Sequence, residues 1–349
     1  MQLHNKVNNE ELKLRLEQSG QPRKTLSFYR YHQISNPHQF RDDLYLKLYQ
    51  LEVYGRIYVA SEGINGQISV PEVRYNEFVR ELYSIGFLNG VRLNEAVDDD
   101  GRSFYKLKIK VRDKIVADGL DDKSFDVTRR GEHLDALKFN ELTQREDTIV
   151  VDMRNHYESE VGHFENAIRP DVETFREALP IVEGLLQDHK DKHIVMYCTG
   201  GIRCEKASAY FKHKGFDKVY QLDGGIIEYA RRVRELGLEN KFLGKNFVFD
   251  ERLGERISQE VIAHCHQCGK PCDDHTNCAN DACHILFIQC SDCQEKYESC
   301  CSEKCQKFNQ LPEEERKELR KIMVFNGTVN GKGRYKAKRK DQELIETES

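Results

Sequence analysis

No cysteine precedes Cys198 in this 349-residue chain, yet the chain carries twelve, and ten of them crowd between Cys265 and Cys305. That skew argues against a disulfide scaffold and for clustered thiols that bind metal. No apolar run approaches the roughly 18 residues a membrane-crossing helix needs, and charged residues make up 32%. The opening stretch, Met1 to Gly20, is polar and of mixed charge, with neither the apolar stretch of a secretory signal nor the acid-poor pattern of a transit peptide. The expectation is a cytoplasmic protein with no membrane partner. Cationic residues are not in excess either. The formal net charge of −5 excludes a uniformly basic coat for nucleic acid but leaves room for a local patch. There is no flavin fingerprint, no haem attachment motif and no obvious iron-binding facial triad.

What is present begins at Tyr197-Cys198-Thr199-Gly200-Gly201-Ile202-Arg203-Cys204. The β-type run His193 to Tyr197 leads into a cysteine, a loop of small residues follows, and a helix is expected from about Cys204. Backbone N–H groups of such a loop, together with the helix N-terminus, converge on one sulfur and favour its thiolate. Gly200 and Gly201 permit backbone angles that a Cβ resists. Arg203 has two readings: stabilising an anionic sulfur or substrate oxygen, or tying the loop to a carboxylate. Cys204 also has two: a resolving thiol for an oxidised Cys198, or a small residue in the first helical turn. Asp152 and Arg154 read as an ion pair or loop support.

Strand and helix patterns divide the chain. Residues 1–24 form a polar lead. Residues 25–112 read βαββαβ: strands at Leu26–Tyr31, Arg56–Ala60, Gln67–Val70 and Phe104–Val111, helices at Pro37–Leu51 and Val73–Ile85, and a turn at Glu62–Gly66. That order predicts a ferredoxin-like unit. Residues 113–145 read as a charged connector. Residues 146–236 alternate strand and helix, an α/β domain with a mostly parallel sheet, so Cys198 sits at a strand's carboxyl end, where such sheets place their sites. A second connector at 237–260, a Cys-rich module at 261–310 and a charged helix with basic tail at 311–349 complete an α+β and α/β multidomain chain. Lys332, Arg334, Lys336, Lys338, Arg339 and Lys340 suit phosphate contacts, and equally a solvated tail. A sheet face bearing Tyr29, Arg30 and Tyr31 offers base stacking, unless these residues belong to the core.

In the Cys-rich module, Cys265-x-x-Cys268 and Cys290-x-x-Cys293 match the knuckles of a zinc site. Cys265, Cys268, Cys290 and Cys293 are expected to hold one ion, and Cys278, Cys283, Cys301 and Cys305 a second in a cross-braced arrangement. For the second set, Cys272, His284 and Cys300 compete. The role expected is structural, since four thiolates leave no position for water. An iron–sulfur cluster is the alternative.

The α/β segment resembles the rhodanese family. The resemblance rests on Asp152-Met153-Arg154 with Glu158, Gly162-His163-Phe164 and Ala167, on the Cys198–Arg203 loop, and on Leu222-Asp223-Gly224-Gly225-Ile226. Phosphatases of this fold have one residue more between cysteine and arginine; the four residues here resemble the sulfur-handling loop. Adding Tyr31-His32, Ser61-Glu62-Gly63-Ile64-Asn65-Gly66 and His264-Cys265-His266-Gln267-Cys268-Gly269, nearly the whole chain resembles the bacterial oxygen-dependent tRNA uridine 34 hydroxylases. The resemblance implies conversion of the wobble uridine, in the anticodon loop of tRNA, to 5-hydroxyuridine. Molecular oxygen and a reductant would be co-substrates, and Cys198 would be the essential thiol. A sulfurtransferase working through a Cys198 persulfide is the other enzymatic reading. A non-catalytic RNA- or protein-binding adaptor is the third.

Overall fold

The computed structural model describes residues 8–120, 126, 128–325, 327 and 335. The basic positions Lys332, Arg334, Lys336, Lys338, Arg339 and Lys340 lie outside the described residues. A short helix, α1 (Asn9–Ser19), opens the chain within the stretch read as a lead.

The N-terminal unit runs β1 (Arg23–Tyr31), α2 (Pro37–Gln50), β2 (Tyr54–Ala60), β3 (Gly63–Pro71), α3 (Tyr75–Tyr83), β4 (Asn94–Glu95) and β5 (Leu107–Val111). Helix α2 begins where a helix should: Pro37 stands at its first turn, and the Asn36 side chain accepts from the Gln39 N–H. The sheet order is β4-β1-β3-β2-β5. Its first four strands are mutually antiparallel, the ferredoxin-like arrangement that the sequence predicts. Two details differ. The closing strand of that motif is the two-residue β4, too short for any periodicity to reveal; the apolar run near Val111 is an added fifth strand, parallel to β2. The Gly63–Gly66 segment is strand, not turn, and the chain reverses at Ser61-Glu62. Gly66 is there because it lies under the Phe28 ring, which a Cβ would meet at 2.7 Å. Helices α2 and α3 bury one sheet face, with Leu26, Phe28, Ile57, Ile68, Leu44 and Phe78 in a common core.

The central domain is a four-stranded parallel sheet ordered β6-β10-β9-β7. Its elements are β6 (Glu132–Leu134), α4 (Ala136–Thr143), β7 (Thr148–Asp152), α5 (His156–Glu160), β8 (Gly162–Phe164), α6 (Phe175–Leu186), β9 (His193–Tyr197), α7 (Ile202–His213), β10 (Val219–Leu222) and α8 (Gly225–Leu236). Strand β6 and helix α4 fall in the stretch read as a connector; three residues are too few to declare a strand, and only pairing with β10 makes them one. The alternation within β9 explains the layers. Ile194 and Met196 pack with α6 and α7, whereas Val195 and Tyr197 pack with α4 and α8.

The second connector is structured too. Strand β11 (Phe242–Asn246) pairs with β8 and with β12 (Glu255–Arg256). The Cys-rich module follows with β13 (His275–Asn277), β14 (Leu286–Ile288), α9 (Ser291–Lys296) and α10 (Glu303–Asn309), then the charged helix α11 (Glu313–Leu319). No helix among the described residues is long and apolar enough to cross a membrane.

Candidate active site and metal centres

Strand β9 is fully buried from Ile194 onward and delivers Cys198 to the mouth of the sheet with its side chain enclosed. The loop then wraps its sulfur. The Gly201 N–H donates to Cys198 Sγ at 3.2 Å, and Gly201 adopts φ +96°, a left-handed angle that opens helix α7. The carbonyls of Cys198 and Thr199 accept from the Ile226 and Ile227 N–H groups at 3.0 and 3.2 Å. The Leu222–Ile226 motif therefore works as the loop's second wall. Gly225, at φ +67°, is needed there: a Cβ would meet the Cys198 carbonyl oxygen at 2.5 Å.

Burial alone would push the Cys198 thiol up. The Cys204 S–H, the Arg203 charge and the N–H groups of Cys204 and Arg203 together outweigh it, and leave the thiol at about 6. At neutral pH the sulfur is thus mostly thiolate. Cys204 is the counterpart. Burial and donation to Cys198 hold its own thiol well above the usual range. The small residue of the first helical turn therefore contacts the reactive sulfur directly.

Arg203 combines its two expected roles. Its guanidinium grips the buried carboxylate of Glu158 in a fork, Nη1 to Oε1 at 2.6 Å and Nη2 to Oε2 at 2.8 Å, while Nη2 also reaches Thr199 Oγ1 at 3.3 Å. The loop is tied to a carboxylate, and the same charge still acts on Cys198. Glu158 has a second task, since its Oε1 accepts from the Asn155 N–H in a capping box at the start of α5. Asp152 and Arg154 form a fully buried ion pair at 2.7 Å. Arg154 donates to the Gly162 carbonyl and lies over the Tyr197 and Phe242 rings, so the pair braces β7 against β8.

The N-terminal sheet closes over the loop with its other face. Tyr29 Oη donates to Glu205 Oε1 at 3.0 Å and Tyr31 Oη to the Ile202 carbonyl at 3.4 Å. These tyrosines dock on helix α7 and are spent there, rather than offered to free bases. Beside them, Lys206 Nζ, almost fully buried, contacts Glu62 at 2.6 Å and Asp118 at 3.2 Å. His133 stands between Glu205, at 3.4 Å, and Asp223, at 3.5 Å. Hydrogen bonds to Asp223 and Glu205 raise its pKa to about 9. Arg92 clamps Asp223 at 2.6 Å. Between the N-terminal sheet, the Cys198 loop and the Cys-rich module lies a cleft of about 1400 Å³, lined by Ser27, Tyr29, Asn65, Cys198, Thr199, Arg203, Phe249, His266 and Tyr335 among others. It exceeds the roughly 300–1,000 Å³ of small-molecule pockets, a size suited to part of a macromolecule.

The cysteine module brings together two sets of four sulfurs. Cys265, Cys268, Cys290 and Cys293 lie within 4.8 Å of one another, as do Cys278, Cys283, Cys301 and Cys305. The pairs Cys268–Cys290, Cys283–Cys301 and Cys301–Cys305 stand 3.6, 3.7 and 3.6 Å apart. That is far beyond a disulfide bond and close to the ~3.8 Å edge of a tetrahedron with metal–sulfur bonds of about 2.3 Å. The donor sets interleave along the chain, the cross-braced order expected, and Cys272, His284 and Cys300 fall outside both.

The description "UPF0176 acylphosphatase like domain" matches residues 23–115, "Rhodanese-like domain" matches 135–232 and "Rhodanase C-terminal" matches 243–306. A tRNA uridine(34) hydroxylase of Photorhabdus laumondii is 56% identical over 335 residues, 96% of this chain and 95% of its own. One from an Enterobacter species is 58% identical over 319 residues, 91% of each chain. The chain belongs to the tRNA uridine(34) hydroxylase family. Within this hydroxylase chain, sequence reasoning singled out the loop and both cysteine sets. It missed Glu158 as Arg203's partner, although Glu158 stands in the quoted motif. It also missed Lys206, Glu205 and His133 on the seam between domains. For Glu205 and Lys206 the signal available was charge at positions of helix α7 that apolar periodicity assigns to the interior; His133, on the three-residue β6, carried none.

Proposed function

We propose that this chain hydroxylates C5 of the uridine at position 34 of tRNA, with molecular oxygen and a reductant as co-substrates and the Cys198 thiolate as the essential group. The observation that carries the reading is the low-pKa sulfur held in the Cys198–Arg203 loop at the floor of a macromolecule-sized cleft, in a chain closely related to hydroxylases of that name. A thiolate so placed can add to C6 of uracil. The S–C6 bond forms, the C5=C6 π electrons move toward O4, and C5 becomes electron-rich. Thr199 to Ile202 shape the loop around the sulfur, and Arg203 supplies positive charge beside it. A pyrimidine at position 34 lies in the anticodon loop, where unpaired bases can be splayed out and reached. Function in the cytoplasm, where tRNA is found, accords with this substrate.

The two tetrathiolate sets fit zinc, and each would hold one ion in a closed, structural site. Bound there, the ions would cross-link the module, which contacts the central domain through His266 and Glu160 at 2.8 Å and the connector strand β12 through Asp273 and Arg256 at 2.7 Å. Metal analysis separates zinc from an iron–sulfur centre.

Nucleoside mass spectrometry tests the function. Total tRNA is taken from aerobically grown cells lacking this gene and any parallel route to the same nucleoside, complemented with wild type or Cys198→Ser. Restoration of 5-hydroxyuridine by wild type alone is the expected result. A fully active Cys198→Ser would sink the role of the thiol. Unchanged 5-hydroxyuridine with a loss of thiolated nucleosides would favour sulfur transfer instead.

A further inference from the structure

The face of the N-terminal sheet that Tyr29 and Tyr31 do not fill continues away from the Cys198 loop, and its composition is unusual for the back of a small α+β unit. Strand register sets two rows across four strands. One runs Ser27, Gln67, Arg56, Lys108; the other runs Tyr29, Asn65, Tyr58, Lys110. At 4.7–4.9 Å per strand, each row spans about 14 Å. The inner ends touch the reactive loop: a Cβ on Gly201 would stand 3.0 Å from Tyr29 Oη. The outer ends are cationic. Arg56 and Tyr58 line the same cleft as Cys198, and the Arg112 guanidinium lies 5.6 Å over the Tyr58 ring. Partial burial and the charges of Lys106, Arg56 and Lys110 all disfavour the Lys108 ammonium, and Glu251, which Lys13 approaches to 4.0 Å, opposes them. Among the described residues, Arg56, Lys106, Lys108 and Lys110 make no ion pair.

We propose that this face is the track for the RNA strand flanking the target nucleotide. The phosphates would pair with Arg56, Lys108 and Lys110, and a neighbouring base would stack on Tyr58. Three features converge on that occupant. Unpaired clustered cations complement a polyanion. An aromatic ring set among them on a sheet face suits an unstacked base. The rows end at the thiol, so a strand on them delivers one nucleotide to Cys198. Lysines on an edge strand also guard against sheet-to-sheet pairing, but that task does not call for Arg56 and Tyr58 on interior strand β2. The inference rests on the reading of RNA as substrate and adds where the strand lies.

The test is fluorescence anisotropy with the full-length protein and a labelled anticodon stem–loop carrying uridine at the wobble position, at several salt concentrations. Lys108→Ala/Lys110→Ala should weaken binding at least tenfold at low salt. It should also flatten the slope of log affinity against log salt by about 1.4, the share of two phosphates on a single strand. Tyr58→Ala should cost at least fivefold with the slope unchanged, and Lys138→Glu, on α4, should change neither. Melting curves of each variant establish that it is folded. Affinity and slope unchanged in the double variant overturn the proposal, as does a wild type that does not bind the stem–loop; the face then serves a protein partner or guards the sheet edge. 5-Hydroxyuridine is measured separately. If wild type forms none but the variants still lose RNA affinity, the hydroxylase reading fails and the track stands.

Discussion

Cys198 shows how little of a residue's chemistry is its own. The same thiol without its loop would have a pKa of about 8.5. Here a neighbouring S–H, a guanidinium and backbone N–H groups hold it near 6 against burial. Alkylation of Cys198 by iodoacetamide, read by peptide mass spectrometry, should therefore rise through about pH 6. Cys204→Ala removes the S–H donor, and the midpoint should move toward that of an ordinary thiol. An unmoved midpoint would assign the activation to Arg203 and the backbone alone. Glu158 matters for the opposite reason, as a charge that cannot be lost cheaply. Glu158→Gln would leave Arg203 without its buried partner and should destabilise the protein by about 3–5 kcal/mol, seen as a lower midpoint in denaturant unfolding. Retention of full stability would mean that solvent takes over the carboxylate's role.

At the scale of elements, short pieces are what hold the site. Strand β9 presents the thiol, α7 turns away from it, and the turn into α8 backs the loop through two hydrogen bonds from Ile226 and Ile227. Gly225→Ala should disrupt that contact without touching the sulfur, because the Cβ would invade the Cys198 carbonyl at a left-handed backbone angle. A loss of about 1–3 kcal/mol is expected, together with a rise in the Cys198 alkylation midpoint as the loop loosens. The cysteine module is an element of another kind, with few long strands or helices of its own. Its two sets of thiols should bind two zinc ions per chain by elemental analysis. Removal by a strong chelator should unfold the 265–305 stretch first, detected as increased amide exchange there while the central sheet stays protected.

For the whole molecule, the decisive feature is the seam between the N-terminal and central domains. Lys206, Glu62 and Asp118 meet on it, as do His133, Glu205, Asp223 and Arg92. The His133 pKa is raised from 6.5 to about 9 by its carboxylate partners. A raised folded-state pKa contributes stability that is fully present below about 6.5 and is lost as pH climbs through about 9. Glu205 and Asp223 are lowered, with His133 hydrogen bonds helping to hold both down, so their contribution is lost as pH falls below the ordinary carboxylate range. Melting temperature followed from pH 6 to pH 10 should decline for wild type more steeply than for His133→Gln. Parallel curves would remove His133 from the seam's energetics.

The sequence by itself determined whatever is local and dense in information. The strand–cysteine–glycine–arginine loop is legible because each residue type is demanded by backbone geometry or charge within eight positions. The first thiol set is legible because two C-x-x-C spacings bring sulfurs together; in the second, where Cys272, His284 and Cys300 competed, the fold gathers Cys278, Cys283, Cys301 and Cys305. Helix α2 is legible from Pro37 through its apolar repeat, Phe40, Leu44, Leu48 and Leu51. Tertiary structure alone decided the rest. Strands β4 and β6 have two and three residues, and only a partner strand makes them strands. The Glu158–Arg203 fork joins residues 45 positions apart, and its charges look like any others in a chain that is one-third charged. Tyr29 and Tyr31 alternate along β1 as either core or binding face would. Which one they are depends on helix α7 arriving against them, and that arrival leaves Tyr58 and Arg56 lining the cleft.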